Sequence, residues 1–324
     1  MAASVQLVPA LEPIRPHMEQ VACLLDARLA GVREPLRSAL CRSLGAGKQL
    51  RPALVILVGQ LLGAAPTPLT ALAAAVDMLH TATLIHDDLV DGAALRRGRE
   101  TIHTRWSVGA AVLAGDYMLA EATSLIAHLA HPSVFAVFAD LLCRMCSGEI
   151  TSMFLTAGER YSPESYYRGI EAKTALLFAA AAEMAALLAG ADAPQATALR
   201  CFGREFGMAY QIVDDVLDLI GDEARLGKPV GSDLRRGVIT LPVLVYLEGA
   251  PEDDPVRGAL SAGADEGHVR AAIAALRASA AVEVALAQAC AHVEQGKAAL
   301  AGVPDNAYRQ MLCAVAEFVV TRSS

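Results

Sequence analysis

The chain has 324 residues, of which 35 are acidic and 27 basic, for a net charge of −8. That balance argues against a general nucleic-acid binder, which would carry a basic face. Hydrophobic residues make up 54%, with alanine prominent, so the chain can bury a large apolar interior between closely packed helices. Residues 1–16 contain Pro9, Pro13 and Pro16. They are expected to be flexible or loosely packed, and they lack the basic-then-apolar pattern of a leader. Beyond them strand signals are nearly absent, and apolar residues recur at three- and four-residue spacing. The pattern predicts helices at about 17–30, 33–44, 52–63, 67–91, 108–130, 133–156, 163–170, 172–190, 194–220, 238–248, 253–262, 266–278, 280–302 and 305–321. Only short Gly/Pro punctuation separates them, so one domain over residues 1–324 is expected. The most membrane-like stretch, residues 175–191, is interrupted by Glu183 and reads as a core helix. The seven cysteines are scattered, and Cys143 with Cys146 forms a lone Cys-x-x-Cys with no partner pair. A metal site is therefore not read there, and a reducing cytoplasm is the expected location.

Two copies of one acidic pattern stand apart from this background. They are Asp87-Asp88-Leu89-Val90-Asp91 and Asp214-Asp215-Val216-Leu217-Asp218, each closing a predicted helix before Gly92 or Gly221. Residues i and i+4 share a helix face, which pairs Asp87 with Asp91 and Asp214 with Asp218. The C-terminal end of a helix is a poor home for negative charge, so stability does not account for the placement. Carboxylates gathered this way repel unless cations meet them. Mg²⁺, held by carboxylates and substrate phosphates, is the natural candidate. The duplicated pattern reads as a magnesium–diphosphate clamp. Basic residues follow each copy: Arg96 and Arg97 before Gly98, and Lys228 between Gly227 and Pro229, with Arg235 and Arg236 beyond. A glycine-rich turn, Gly45 to Gly47, leads through Lys48 and Gln49 to Arg51 and Pro52, where free helix N–H groups and two cations would suit an anion. Lys173 and Thr174 form a polar pair ahead of the apolar run Ala175 to Phe178.

Taken together, these residues resemble the trans-prenyltransferases, or polyprenyl diphosphate synthases. His80 to Asp91 continuing to Gly98 looks like the first aspartate-rich region, and Gln211 to Asp218 continuing through Lys228 to Pro242 like the second. Gly47-Lys48 with Arg51-Pro52 matches the amino-terminal basic motif, and Gly115-Asp116 and Lys173-Thr174 match smaller signatures. The resemblance runs from about residue 20 to the C-terminus and is closest to bacterial octaprenyl- and solanesyl-type members. It implies an all-α isoprenoid-synthase bundle around a large apolar cavity. It also implies a homodimer, and head-to-tail condensation of isopentenyl diphosphate onto an allylic diphosphate such as farnesyl or geranylgeranyl diphosphate. By position, Asp87, Asp88, Asp91, Asp214, Asp215 and Asp218 would hold Mg²⁺, about three ions in all. Arg96, Lys173, Thr174, Gln211 and Lys228 would surround the allylic diphosphate, and Lys48, Arg51, His80 and Arg97 would grip isopentenyl diphosphate. His86 reads as a supporting or packing residue rather than a base.

Two departures stand out. Gln49 replaces the family's usual Arg and Val238 its usual Lys, which either weakens diphosphate binding or leaves Arg235 and Arg236 to substitute. Chain length should follow the depth of the pocket along the helix ending at Asp91. Ala82, five residues before Asp87, leaves open a position that a bulky aromatic closes in short-chain members. Leu79 and Met78, one turn deeper, and Met118 are candidate floor residues. Ala82 lies about 7.5 Å up the helix from Asp87, and the open position there, with the resemblance to long-chain members, implies a product of about thirty to forty-five carbons, of the kind used as a quinone side chain, with membrane contact for its release. A shorter-chain synthase, a non-catalytic subunit of a heteromeric synthase and a terpene cyclase are the rival readings. A di-iron bundle would show paired Glu-x-x-His, which is absent.

Overall fold

A computed structural model describes residues 9–44, 48–96, 98–155, 159, 161–221, 230–261 and 264–321. Its helices are α1 Arg15–Arg28, α2 Leu36–Ser43, α3 Leu50–Leu61, α4 Pro66–Val90, α5 Ile102–Arg105, α6 Val108–His128, α7 Pro132–Met153 and α8 Pro163–Ile170. They continue as α9 Leu176–Leu188, α10 Ala193–Ile220, α11 Ser232–Arg235, α12 Leu241–Leu247, α13 Pro255–Ala259, α14 Glu266–Ala278, α15 Ala281–Ala299 and α16 Ala307–Thr321. A π turn, Glu171–Ala175, joins α8 to α9. The only strands among the described residues are two of two residues each, Leu95–Arg96 and Arg99–Glu100, paired antiparallel. The fold is all-α, as expected. Residues 9–14 depart from the loose N-terminus expected up to residue 16. They form a 3₁₀ turn whose Leu11 and Ile14 are fully buried, because two apolar side chains were available to dock.

The helices group into two compact units. The first comprises residues 1–142, 177–203 and 299–315, the second 143–176, 204–298 and 316–324. In the first, α4 packs chiefly along α6, and also against α3 and α1. Alanines on its buried faces, Ala73 to Ala75, let neighbours approach on several sides. The contact with α3 is closest at Gly59, where an added Cβ would lie 2.3 Å from a methyl of Leu69. Starts are marked locally: Pro66 stands at the first position of α4, and the Ser107 hydroxyl accepts the Ala110 N–H to cap α6. In the second unit α12, α13 and α14 pack together around Val243, Val256 and Leu276. Asp265 opens α14 with a reciprocal capping box to His268.

Among the described residues two helices, α4 and α6, are long and apolar enough to cross a membrane. Residues 175–191, the stretch that had looked most membrane-like, are not among them. In the most apolar window of α4, 72% is buried within the fold, against 39% for α6, which leaves Val108, Val112 and Leu113 exposed.

Gly203 on α10 lies flush on α9, where a Cβ would sit 2.5 Å from the Phe178 carbonyl oxygen. Backbone cannot yield there as a side chain would. Gly203→Ala is therefore expected to cost about 1–3 kcal/mol, measured as a lowered urea midpoint by circular dichroism. An unchanged midpoint would contradict this packing.

Candidate active site

In the first unit, α4 ends at Val90 and Gly92 turns the chain away with φ of 61°. That conformation favours glycine. Asp87 is half-buried, Asp91 is exposed, and Asp88 between them is buried. Burial pushes the Asp88 carboxyl up, and Arg96 opposes that by donating from Nε at 2.7 Å. Arg96 falls between the helices predicted at 67–91 and 108–130. It stands on the small hairpin, whose base is closed by Thr101: its N–H bonds the Ala94 carbonyl at 3.0 Å and its hydroxyl the Ala93 carbonyl at 2.8 Å. Thr101 was missed, and its only signal was its place before the short α5.

The expected isopentenyl diphosphate residues are partly brought together. Arg51, in the first turn of α3, donates from Nη1 to His80 Nε2 at 3.0 Å, and its guanidinium lies 4.5 Å from the Phe178 ring centroid. Lys48 stands just before that helix, half-buried, and Gln49 takes a left-handed φ of 53°. Gly45 to Gly47 and Arg97 lie outside the described residues. His86 donates from Nε2 to the Val112 carbonyl at 3.3 Å, with Asp116 Oδ1 at 3.7 Å. A Cβ on Gly115 would lie 2.2 Å from that imidazole, so glycine there seats His86 against α6. Ala82, Leu79, Met78 and Met118 are all buried.

In the second unit, α10 carries Gln211, Asp214, Asp215 and Asp218 in its last turns. Thr174 donates to Gln211 Oε1 at 2.7 Å, Gln211 Nε2 donates to Asp215 Oδ1 at 2.8 Å, and Tyr166 donates to Asp215 Oδ2 at 2.7 Å. Lys173 is exposed. Asp214 is also exposed, whereas its i+4 partner Asp218 is 1% exposed. The Asp218 side chain accepts the Asp233 N–H at 3.0 Å, and its own carbonyl accepts the Gly231 N–H at 2.7 Å. Asp218 thus holds backbone. Lys228 lies outside the described residues. Arg235 and Arg236 are engaged elsewhere, bidentately by Glu266 at 3.0 and 2.6 Å and by Asp233 at 2.6 Å.

The polyprenyl synthetase family model matches residues 33–276. The chain belongs to that family. The heptaprenyl diphosphate synthase component 2 of Geobacillus stearothermophilus is 37% identical over 292 residues, which cover 89% of this chain and 90% of that protein. The octaprenyl diphosphate synthase of Escherichia coli K12 is 33% identical over 280 residues, 86% of this chain and 87% of that one. A crystal structure of polyprenyl synthase from Caulobacter crescentus, complexed with calcium and isoprenyl diphosphate, superposes with a TM-score of 0.90. Its identity is 34%, and the match covers 99% of both chains. This member of the polyprenyl synthetase family is a prenyltransferase with the all-α isoprenoid-synthase fold.

Among the described residues no three His, Cys, Asp or Glu side chains are gathered closely enough to hold a metal ion by themselves. The two motifs are also unlike each other electrostatically. Asp88 has a cation, whereas Asp215 has neutral donors and a carboxyl pushed up to about 8 by burial, then by the nearby charge of Asp233, against the hydrogen bonds from Gln211 and Tyr166. In the metal-free protein a carboxyl raised this way keeps its proton when the unfolded chain has lost it. Stability should therefore fall as pH rises from about 4 to about 8. Asp215→Asn should flatten that fall in urea titrations with chelator present. An equal slope in the variant would contradict the assignment.

Proposed function

We propose that the chain condenses isopentenyl diphosphate with an allylic diphosphate in a Mg²⁺-dependent, head-to-tail reaction and makes a long all-trans polyprenyl diphosphate of about thirty to forty-five carbons, a reading supported by the small Ala82 about 7.5 Å up α4 from Asp87 and by the names of its long-chain relatives. Asp87, Asp88, Asp91 and Asp214 are the metal-binding carboxylates in this reading. Their oxygen-only donor set and the exposure of Asp91 and Asp214 fit a hard cation. Asp215 and Asp218 support the second motif from behind. When bound, Mg²⁺ supplies Lewis-acid withdrawal of charge from the departing diphosphate.

The chain's own residues do the rest. Arg96, Lys173, Lys228 and the Thr174–Gln211 pair hold the allylic diphosphate and balance charge on its leaving oxygens. Arg51, His80, Lys48 and Arg97 orient isopentenyl diphosphate so that its double bond meets the allylic cation. The buried apolar run Ala82, Leu79 and Met78 keeps water from that cation. No protein base is assigned, since the released diphosphate can take the final proton. The two units are read as one catalytic domain, the cytoplasm as its location and quinone side chains as the product's use, with a membrane accepting the product.

The observation that carries the chain length is the small, buried Ala82 five residues before Asp87. The relatives named heptaprenyl, octaprenyl and nonaprenyl diphosphate synthase support the same reading. The exposed apolar face of α6, with Val108 at 59% and Leu113 at 70%, supports a homodimer. The relative named component 2 supports an assembly with a second chain as the rival. Mass photometry and isopentenyl incorporation by the purified chain alone separate the two: a dimer active by itself is expected.

Mass analysis of products from farnesyl and geranylgeranyl primers tests the length. Ala82→Tyr is expected to stop elongation within about one or two condensations, because the ring fills the first turn of the channel. The first condensation should keep its rate. A product distribution equal to wild type would refute this ruler.

A further inference from the structure

We propose that the π turn Glu171–Ala175 is a positioning device that aims Lys173, and that Arg204 and Glu171 are the positioning residues that set it. The inference rests on the reading of Lys173 as a ligand of the allylic diphosphate. Leu176 donates its N–H to the Glu171 carbonyl, five residues back. Such a turn takes in one extra residue and re-aims the side chains on it, a geometry rare outside single turns. Something must hold it open against relaxation to an ordinary α turn.

Three contacts do so, one on each residue around Lys173. Arg204 grips Glu171 with two parallel bonds, from Nε at 3.1 Å and Nη2 at 2.8 Å, the fork geometry that fixes direction as well as distance. Ala172 lies against α7 at Gly148, where a Cβ would come 2.4 Å from the Ala172 methyl. Thr174 is 4% exposed and tied to Gln211 at 2.7 Å. Between these three Lys173 alone is exposed.

The grip is itself anchored. Arg204 Nη1 donates to Glu205 Oε1 at 2.5 Å, and Glu205 Oε2 takes His292 Nδ1 of α15 at 2.6 Å. Glu205 is 5% exposed. A carboxylate buried that deeply is a weak source of stability, and it is better explained by the orientation it imposes on Arg204. Lysine carries its ammonium on a flexible four-carbon stem, so the place and direction from which the backbone launches it bound the volume the charge can reach.

A double-mutant cycle on the full-length enzyme, read by steady-state kinetics for each substrate, tests this. Glu171→Gln is expected to lower kcat/KM for farnesyl diphosphate roughly ten- to a hundredfold. KM for isopentenyl diphosphate should stay within about twofold, and the loss should nearly vanish when Lys173→Ala is already present. Equal losses for both substrates, or a full additional loss on top of Lys173→Ala, would overturn the proposal. Gly148→Ala should give the same selective loss by pushing on Ala172. Gly148→Ala with Ala172→Gly should restore most of it, since the methyl has only changed sides. A paired variant that melts like wild type yet stays impaired would also overturn it. If Lys173→Ala leaves farnesyl diphosphate turnover intact, the ligand role of Lys173 falls and takes the inference with it. If Lys173→Ala is impaired and Glu171→Gln is not, only the inference falls.

Discussion

Carboxylates at the negative end of a helix are the constraint around which this chain is organised. Two helices, α4 and α10, finish in three aspartates each, where the helix dipole adds to their mutual repulsion. The protein answers differently in each case. After α4 a tiny hairpin returns Arg96 to Asp88. At the end of α10 neutral donors, Tyr166 and Gln211, meet Asp215, and Asp218 is turned inward to hold backbone. What is left facing water is Asp91 in one motif and Asp214 in the other.

The helices were largely legible from residue spacing. Residues 163–170 and 266–278 lie where periodicity put them, because Ser162 and Asp265 supply clear starts. The hairpin was not legible, since strands of two residues have no period to detect. Nor was the π turn, because Glu171 to Ala175 differs from an α-helix by one hydrogen-bond step and not by composition.

The two acidic motifs were legible in the sequence, but the burial of each aspartate was not. Six aspartates in duplicate patterns read as equivalent, and burial then divided them. Helical spacing places Asp214 and Asp218 on one face but does not say how deep that face sits at each end. The next segment decides it, for Gly231 and Asp233 come back to cover Asp218. Arg235 and Arg236 show the opposite limit. Charges that looked available from sequence were already committed to Glu266 and Asp233.

Helix α6 has two faces with different duties. Its inner face seats His86 in the space left by Gly115, next along the chain to Asp87, while its outer face shows Val108 and Leu113 to the surroundings. A helix with its side chains is only about 10 Å thick. Pressure, loosening or a change of neighbour on the outside is therefore felt one helix-width away by the imidazole beside the first aspartate. In the proposed dimer, assembly and chemistry share a single wall, and a substitution meant to alter one should be checked for its effect on the other.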